Sequence, residues 1–435
     1  MRNCSTRWRG YPLVAALLGM TITSAPLLAQ TIAITGGRVY TMAGAPIENG
    51  TVLVRDGRIV QVGTSVSIPA DARRIDAAGK WVTPGLINAA TQLGLVEVGL
   101  EQPTRDVTAR GRDGIAAAFT VWDGLNPASV MLAPARGEGI TTVVVAPSGG
   151  LIAGQAAVVD LVEGSMTDML VRAPVAMVGQ VGSPGGAGGL GARGELTVRL
   201  RELLEDARAY ARRRADYERN AARAFSASRL DLDAMIPVIE GRLPLMVVAD
   251  RASDIEAAIR IATDYNVRLM IGSGTEAWLV ADKLAAARVP VFTGAMNNIP
   301  GSFSTLGSYQ ESAAILRRAG VEVILIGDAG VSDAQTFNVR NLKQEAGNAV
   351  AYGMSWDDAL RAVTIVPARV LGIADRYGTL EAGKVANVVV WSGDPFEFST
   401  RAEHVLVRGR EIATPSRQDL LQQRYRTLPP DYRRP

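Results

Sequence analysis

The chain is almost without the side chains that most often bind zinc or form disulfides. Its 435 residues include one histidine, His404, and one cysteine, Cys4. A zinc site made of imidazole and thiolate groups needs three or four such ligands, so the sequence almost excludes that site. A composition of 48% hydrophobic and 20% charged residues also excludes a disordered chain.

Acidic residues are absent from the first thirty positions, which have the features of an export signal. Arg2, Arg7 and Arg9 precede the apolar run 12–20, and small residues follow, with a plausible cleavage site after Ala29. Retention of the segment as an anchor helix stays open, although the apolar run is short for a membrane span. Cleavage would remove Cys4 and leave a periplasmic or secreted chain without thiols.

A basic surface is also missing once this segment is removed. The three arginines of the segment equal the net charge of +3, so the remaining chain is close to neutral. No basic platform interleaved with aromatic residues follows, and no later apolar run is long enough to span a membrane. We therefore expect neither a nucleic-acid partner nor a membrane span after processing.

Short β-rich runs occupy both ends of the mature chain. The runs between residues 31 and 62 are separated by Gly-Gly, Asn-Gly and Asp-Gly turns, and similar runs return at 386–391 and 403–407. Between them, buried apolar runs alternate with helical segments such as 253–264, which Ser253 would cap at the N-terminus. With 81–87 as the first strand and 155–161 as the third, the count is eight, as a closed (β/α)8 barrel requires. An open doubly wound sheet is the alternative.

Two segments resemble binding motifs only superficially. Residues 186–191 fit a G-x-G-x-x-G pattern, but no acidic residue follows a second strand, so we interpret the segment as a loop. The predicted helix 196–225 has eight arginines and five acidic residues between Arg199 and Arg223, at spacings of three and four. This pattern is typical of a solvated helix face, with an anionic partner as the alternative.

Motifs at both flanks of the barrel resemble the amidohydrolase superfamily. Residues 81–89 (WVTPGLINA) resemble the strand that opens the family barrel, and 363–369 with 378–384 resemble its return into a small β domain. Residues 139–143 and 274–277 resemble the imidazolonepropionase-like branch. The resemblance covers about residues 31–413.

This resemblance implies an α/β fold, a (β/α)8 TIM-like barrel plus a small β-sandwich domain built from both chain ends. It also implies hydrolysis of non-peptide C–N bonds, as in cyclic amides, by a hydroxide bound to one or two divalent metals. We expect a signal peptide at 1–29, a composite β-sandwich at 30–83 and 377–415, a barrel at 84–376 and a tail at 416–435.

The family's metal ligands are missing from their expected positions. Ala90 and Gln92 replace the His-x-His pair after the first strand, and no lysine lies between Lys80 and Lys283 to bridge two metals. Asp328 alone matches the last-strand acid of the family. We therefore expect no divalent metal cofactor.

A ligand would bind at the mouth of the barrel, where the strands end. Asp328 is the candidate catalytic residue, with helix capping as its other role. The candidate substrate-binding residues are Asn88, Gln92, Gln180, Asp250, Ser273 and Asn297.

Three functions remain open. The first is a degenerate, non-catalytic homologue that binds a small molecule or a partner. The second is a metal-independent hydrolase in which Asp328 and Asp250 are the general acid and base. The third is a subunit paired with a metal-bearing relative, or a homo-oligomer.

Overall fold

The computed structural model describes most of the chain after residue 30. Within the described residues it contains sixteen strands and twelve α-helices, and no helix there is long and apolar enough to cross a membrane. The described residues are 31–182, 191–219, 221, 223–296, 300–327, 337–412, 415 and 417–426. The strands are β1 (Ile32–Val39), β2 (Ile47–Arg55), β3 (Arg58–Gly63), β4 (Arg73–Asp76), β5 (Trp81–Pro84), β6 (Leu86–Thr91), β7 (Ile140–Val145), β8 (Ile152–Asp160), β9 (Leu170–Gln180), β10 (Leu245–Ala249), β11 (Leu269–Ser273), β12 (Val291–Thr293), β13 (Val323–Leu325), β14 (Val388–Trp391), β15 (Ala402–Val407) and β16 (Arg410–Glu411).

The helices lie mainly between the strands of the second half of the chain. Five short 3-10 helices accompany them in the described part, among them Phe303–Thr305 and Asn338–Asn341. The α-helices are α1 (Leu132–Gly137), α2 (Met166–Met169), α3 (Arg193–Arg212), α4 (Arg214–Glu218), α5 (Arg229–Ile239), α6 (Ala252–Asp264), α7 (Ala281–Ala286), α8 (Ser312–Arg318), α9 (Leu342–Ala351), α10 (Trp356–Ala362), α11 (Ile365–Val370) and α12 (Arg417–Tyr425).

The two ends of the chain form one sheet, and the middle forms a second. The terminal sheet has the order β16-β15-β14-β5-β1-β2-β3, with β4 paired to β1. The second sheet runs from β13 through consecutive strands to β6 and curls into a nearly closed barrel. The predicted α/β fold, a barrel with a small β domain built from both chain ends, is therefore confirmed.

One barrel strand runs against the other seven. β8, which covers the predicted strand 155–161, pairs antiparallel with both β7 and β9, whereas the remaining neighbours pair in parallel. The interpretation of 155–161 as a parallel strand between helices is wrong. The connection from β7 to β8 spans only residues 146–151, too short for the crossover that a parallel neighbour needs.

The predicted first strand, 81–87, is divided between the two sheets. β5 belongs to the terminal sheet, β6 opens the barrel, and Gly85 between them passes close to Thr141 on β7. A Cβ at Gly85 would lie 2.2 Å from Thr141 Oγ1, so only glycine fits this junction.

Helix boundaries differ from the sequence pattern where tertiary contacts replace local signals. Helix α6 begins at Ala252, not after a Ser253 cap, because the carboxylate of Glu276 accepts the Ala252 backbone N–H at 2.9 Å. The predicted helix 196–225 is divided into α3 and α4 at Arg213.

Arginines of α3 and of the segment after α4 form ion pairs with neighbouring acids. Arg201 forms an ion pair with Asp264 at 2.8 Å, and Arg219 forms one with Asp216 at 2.8 Å. Arg223 also bonds to buried Asp206. These pairs favour the solvated, ion-paired interpretation of this face over an anionic partner.

Candidate functional site

A hydrogen-bonded corner lies where β10 and β11 end. The two strands pair in parallel with Ala249 opposite Ser273, so Asp250 and Ser273 lie side by side. Asp250 Oδ1 accepts hydrogen bonds from Ser273 Oγ at 2.5 Å and Thr275 Oγ1 at 2.6 Å. Its other oxygen, Oδ2, has no partner among the described residues, and the side chain is partly exposed. Two hydroxyls thus orient a carboxylate that keeps one oxygen for a ligand.

The backbone of this corner is strained and braced. Ser273 has a φ of +69°, a left-handed conformation that L-residues with a Cβ adopt at a cost of about 1–2 kcal/mol. The next turn is held by Glu276, whose N–H donates to the carbonyl of Asp250 at 2.8 Å. Its carboxylate accepts the N–H of Ala252, as described above. The exits of β10 and β11 are therefore one rigid unit.

A second carboxylate, Asp254, lies on the first turn of α6 beside this corner. Arg193 bridges Asp254 and the loop after β12, with its Nε 3.1 Å from Asp254 Oδ2 and its Nη2 3.1 Å from Ser304 Oγ. Burial raises the pKa of Asp254, Arg193 opposes that rise, and the negative charge of nearby Asp250 adds to it. The two acids are close enough to interact electrostatically.

Two further predicted site residues lie where barrel strands end. Gln180 ends β9 and pairs with Val248 of β10, two residues before Asp250. Gln92 follows β6 and is 6% exposed. These positions bring Gln180, Asp250 and Ser273 together along adjacent strands.

Asn88 on β6 is fully buried and closes the seam of the barrel. Its Nδ2 donates to the carbonyl of Val339 at 3.3 Å, and its Oδ1 accepts the N–H of Gly327, just beyond β13, at 3.4 Å. The first and last barrel strands share no ladder pairing among the described residues, so this amide bridges the gap between them. Both ends of the Asn88 amide are occupied by the backbone.

Two predicted residues lie outside the described residues: Asn297 and Asp328, the candidate catalytic acid. His404, by contrast, lies on β15 of the terminal sheet, where its Nδ1 is 2.6 Å from Glu411 Oε1. The only imidazole in the sequence is therefore committed to the small β domain.

The described side chains at the barrel mouth do not form a suitable ligand set for the divalent metal implied by the family resemblance. Across the described ranges, no three histidine, cysteine, aspartate or glutamate side chains converge in a way that could hold a metal ion. The amide of Gln180 and the hydroxyls of Ser273 and Thr275 are neutral, and both hydroxyls donate to the same oxygen of Asp250. Zinc and related ions need three or four anionic or imidazole ligands around an open position.

Sequence reasoning missed Thr275 and Glu276, which complete the corner. Both lie within three residues of the end of β11, the position from which barrel residues reach the mouth. That position was the available signal. Their partners, Asp250 and Ala252, lie on another strand exit and could not be read from the chain.

Comparisons with known proteins agree with this architecture. The amidohydrolase family profile matches residues 234–414, from α5 to just past β16. The chain is 27% identical over 378 residues to the imidazolonepropionase of Rhizobium meliloti (strain 1021), covering 80% of this chain and 86% of that protein. It is 25% identical over 378 residues to the imidazolonepropionase of Mesorhizobium japonicum, covering 79% and 87%.

A solved structure extends the likeness to the fold. The amidohydrolase of Thermotoga maritima MSB8 superposes with a TM-score of 0.79 at 26% identity, covering 88% of this chain and 99% of that one. The structure of molinate hydrolase superposes with a TM-score of 0.54 at 22% identity, covering 88% and 95%, which indicates a shared fold.

Proposed function

Because the chain belongs to the amidohydrolase family, on its imidazolonepropionase-like branch, we propose that it is an exported homologue without metal-hydroxide chemistry that binds a small cyclic amide. The family is one of C–N hydrolases. The leader with Arg2, Arg7 and Arg9 supports export, and the missing histidines support the loss of the metal. The Asp250–Ser273–Thr275 corner supports binding.

The observation that carries the proposal is the Oδ2 of Asp250, which has no partner within the part of the chain that the structure describes. Hydroxyls hold the carboxylate through its Oδ1, so its orientation is set before a ligand arrives. A ring N–H of a lactam or cyclic urea is the donor that Oδ2 would accept, in a charge-assisted hydrogen bond. Gln180, beside it, supplies an amide for the ligand's carbonyl.

Metal-independent hydrolysis is the second candidate, and the proximity of Asp254 favours keeping it. Asp254, whose pKa burial raises, and Asp250 form a pair with unequal environments, as general acid–base catalysis requires. Asp328 of the sequence pattern would be the further acid. In this reading, ring opening would need one of these carboxyls to activate water.

Metal content and hydantoin binding test the proposal together. On the untagged protein purified from its exported compartment, we expect less than a tenth of an equivalent of zinc, manganese or iron per chain. Isothermal titration calorimetry should detect hydantoin binding to the wild type. The affinity for hydantoin should be at least tenfold lower in Asp250→Asn. The exposed Asp375→Asn is the matched control and should bind like the wild type.

The other outcomes separate the alternatives. One or two equivalents of metal would restore metal-assisted hydrolysis as the leading function and overturn the proposal. Ring-opened product that disappears in Asp328→Ala would favour the metal-independent hydrolase. Equal hydantoin affinity in Asp250→Asn and the wild type would remove the corner from the binding site.

A further inference from the structure

A cleft of about 270 Å³ lies on the outside of the barrel, away from the mouth. It is bounded by the end of α1, by the 3-10 helix Asn338–Asn341, and by α12 near the end of the chain. Every described side chain of α12 is exposed, and Gln418 and Asp419 of this helix line the cleft. The polar side chains along its walls include Arg136, Glu138, Arg340, Gln418 and Asp419.

Arg136 is a buried cation with few acceptors. The residue is 8% exposed, and the one hydrogen bond of its side chain to the described residues is a long one, from Nη1 to the carbonyl of Leu161 at 3.4 Å. No carboxylate in the described residues lies within ion-pair distance of it. Its other guanidinium nitrogens are not sealed in the interior, and the residue lines the cleft. Burial lowers the pKa of Arg136, as it does for a desolvated cation, and distant Glu163 offsets this only in part.

Arg340 adds a second positive charge to the same cleft. Its guanidinium lies over the Phe337 ring, 4.0 Å from the centroid, and no carboxylate of the described residues forms an ion pair with it. Glu138 on the same wall is neutralised by Lys343, whose Nζ is 2.9 Å from Glu138 Oε2. Two arginines and two acids, Glu138 and Asp419, thus line the cleft, and Lys343 adds a third positive charge against them.

We propose that this cleft binds a small oxyanion, the phosphate or carboxylate group of a small molecule, between Arg136 and Arg340. A guanidinium presents a planar fork of N–H donors that matches both groups bidentately. The cleft volume is about nine times the roughly 30 Å³ that one water accounts for, which leaves room for an organic group beside the oxyanion. Such a ligand would bridge the barrel and the C-terminal helix.

Titration calorimetry on the full chain tests this site. The probes are inorganic phosphate, phenyl phosphate and succinate, each against sodium chloride at equal ionic strength. We expect Arg340→Gln and Arg136→Lys each to lower the affinity for at least one of these probes tenfold or more. Arg268→Gln removes an exposed arginine elsewhere on the barrel and should leave binding unchanged. The three probes distinguish the free inorganic ion from a phosphate ester and from a carboxylate.

Asp419→Asn supplies an independent readout with the opposite sign. Removing this acid of the cleft should tighten anion binding about threefold or more, because like charge no longer opposes the ligand. Arg340 is partly exposed, so its variant keeps the test valid if the Arg136 variant fails to fold. Equal affinities in the wild type, Arg340→Gln and Arg268→Gln, or no binding of any probe, would overturn the proposal.

Discussion

Single residues at the barrel mouth owe their roles to neighbours on other strands. Ser273 and Thr275 are ordinary hydroxyls in the sequence, yet both donate to one oxygen of Asp250. A hydrogen bond to a charged group contributes about 1.5–3 kcal/mol to stability, more than a neutral one. The corner therefore trades backbone strain at Ser273 for a fixed carboxylate.

Variants of Ser273 separate this strain from the hydrogen bond. Ser273→Ala and Ser273→Gly both lose the bond to Asp250 and should lower the free energy of unfolding by about 1–2 kcal/mol. Glycine also relieves the positive φ, so Ser273→Gly should be about 1 kcal/mol more stable than Ser273→Ala. Urea unfolding measures both. An alanine variant as stable as the glycine variant would contradict the strain.

Among the elements, the junction from β5 to β6 depends on a glycine, which has no side chain to clash with its neighbour. Gly85 passes so close to Thr141, which is fully buried, that neither can move without disturbing the barrel. Packing constraints of this kind are local in space and remote in sequence. They explain why the strand at 81–87 could be found in the sequence while its division could not.

Gly85→Ala tests this junction. The added methyl overpacks the contact with Thr141 and should lower the free energy of unfolding by about 1–3 kcal/mol. Thr141→Ala removes the two closest atoms, Oγ1 and Cγ2, and leaves the Cβ at 2.7 Å, so the clash is partly relieved and the double variant should be more stable than the sum of the single effects predicts. Denaturant unfolding of the wild type, the two single variants and the double variant gives the coupling energy between the two positions. Strict additivity would show that the two residues do not meet.

The edge strand β16 and its neighbour β15 share a pH-sensitive contact. Burial alone would raise the pKa of Glu411, but the bonds from His404 and Arg73 hold that pKa below its ordinary value. A carboxyl with a depressed folded-state pKa contributes stability above its unfolded pKa, and this contribution is lost as the pH falls through the folded value.

Glu411→Gln should therefore cost stability at pH 6 and progressively less toward pH 3. Thermal unfolding of the wild type and the variant across this range measures the difference. Glu397→Gln, at an exposed turn, is the control and should show no such trend. A constant difference between pH 6 and pH 3 would exclude titration of Glu411 as its source.

At the scale of the whole molecule, one buried carboxylate connects the barrel to the terminal sheet. Asp160 at the end of β8 is fully buried and accepts hydrogen bonds from Thr142 at 2.8 Å, Tyr377 at 2.8 Å and Arg408 Nε at 2.6 Å. Asn387 donates to it at 3.1 Å. The antiparallel strand thus carries the residue at which both sheets meet.

Asp160→Asn should be far more damaging than the loss of one partner. It leaves the Arg408 cation without its carboxylate, at an expected loss of about 3–5 kcal/mol in the free energy of unfolding. Tyr377→Phe removes a single hydrogen bond and should cost about 1 kcal/mol. Urea unfolding of both variants provides the comparison. Equal, small losses would show that the network does not join the sheets.

The sequence by itself determined the fold class and the family, because buried strands, tight turns and flanking motifs such as 81–89 are local patterns. It also shows that histidine and cysteine are almost absent, since composition needs no coordinates. Only the tertiary structure decided that β8 runs antiparallel, that Asn88 bridges the barrel seam, and that Thr275 joins Ser273 at Asp250. Those facts depend on which strand ends become neighbours, and that is set by packing between residues far apart in the chain.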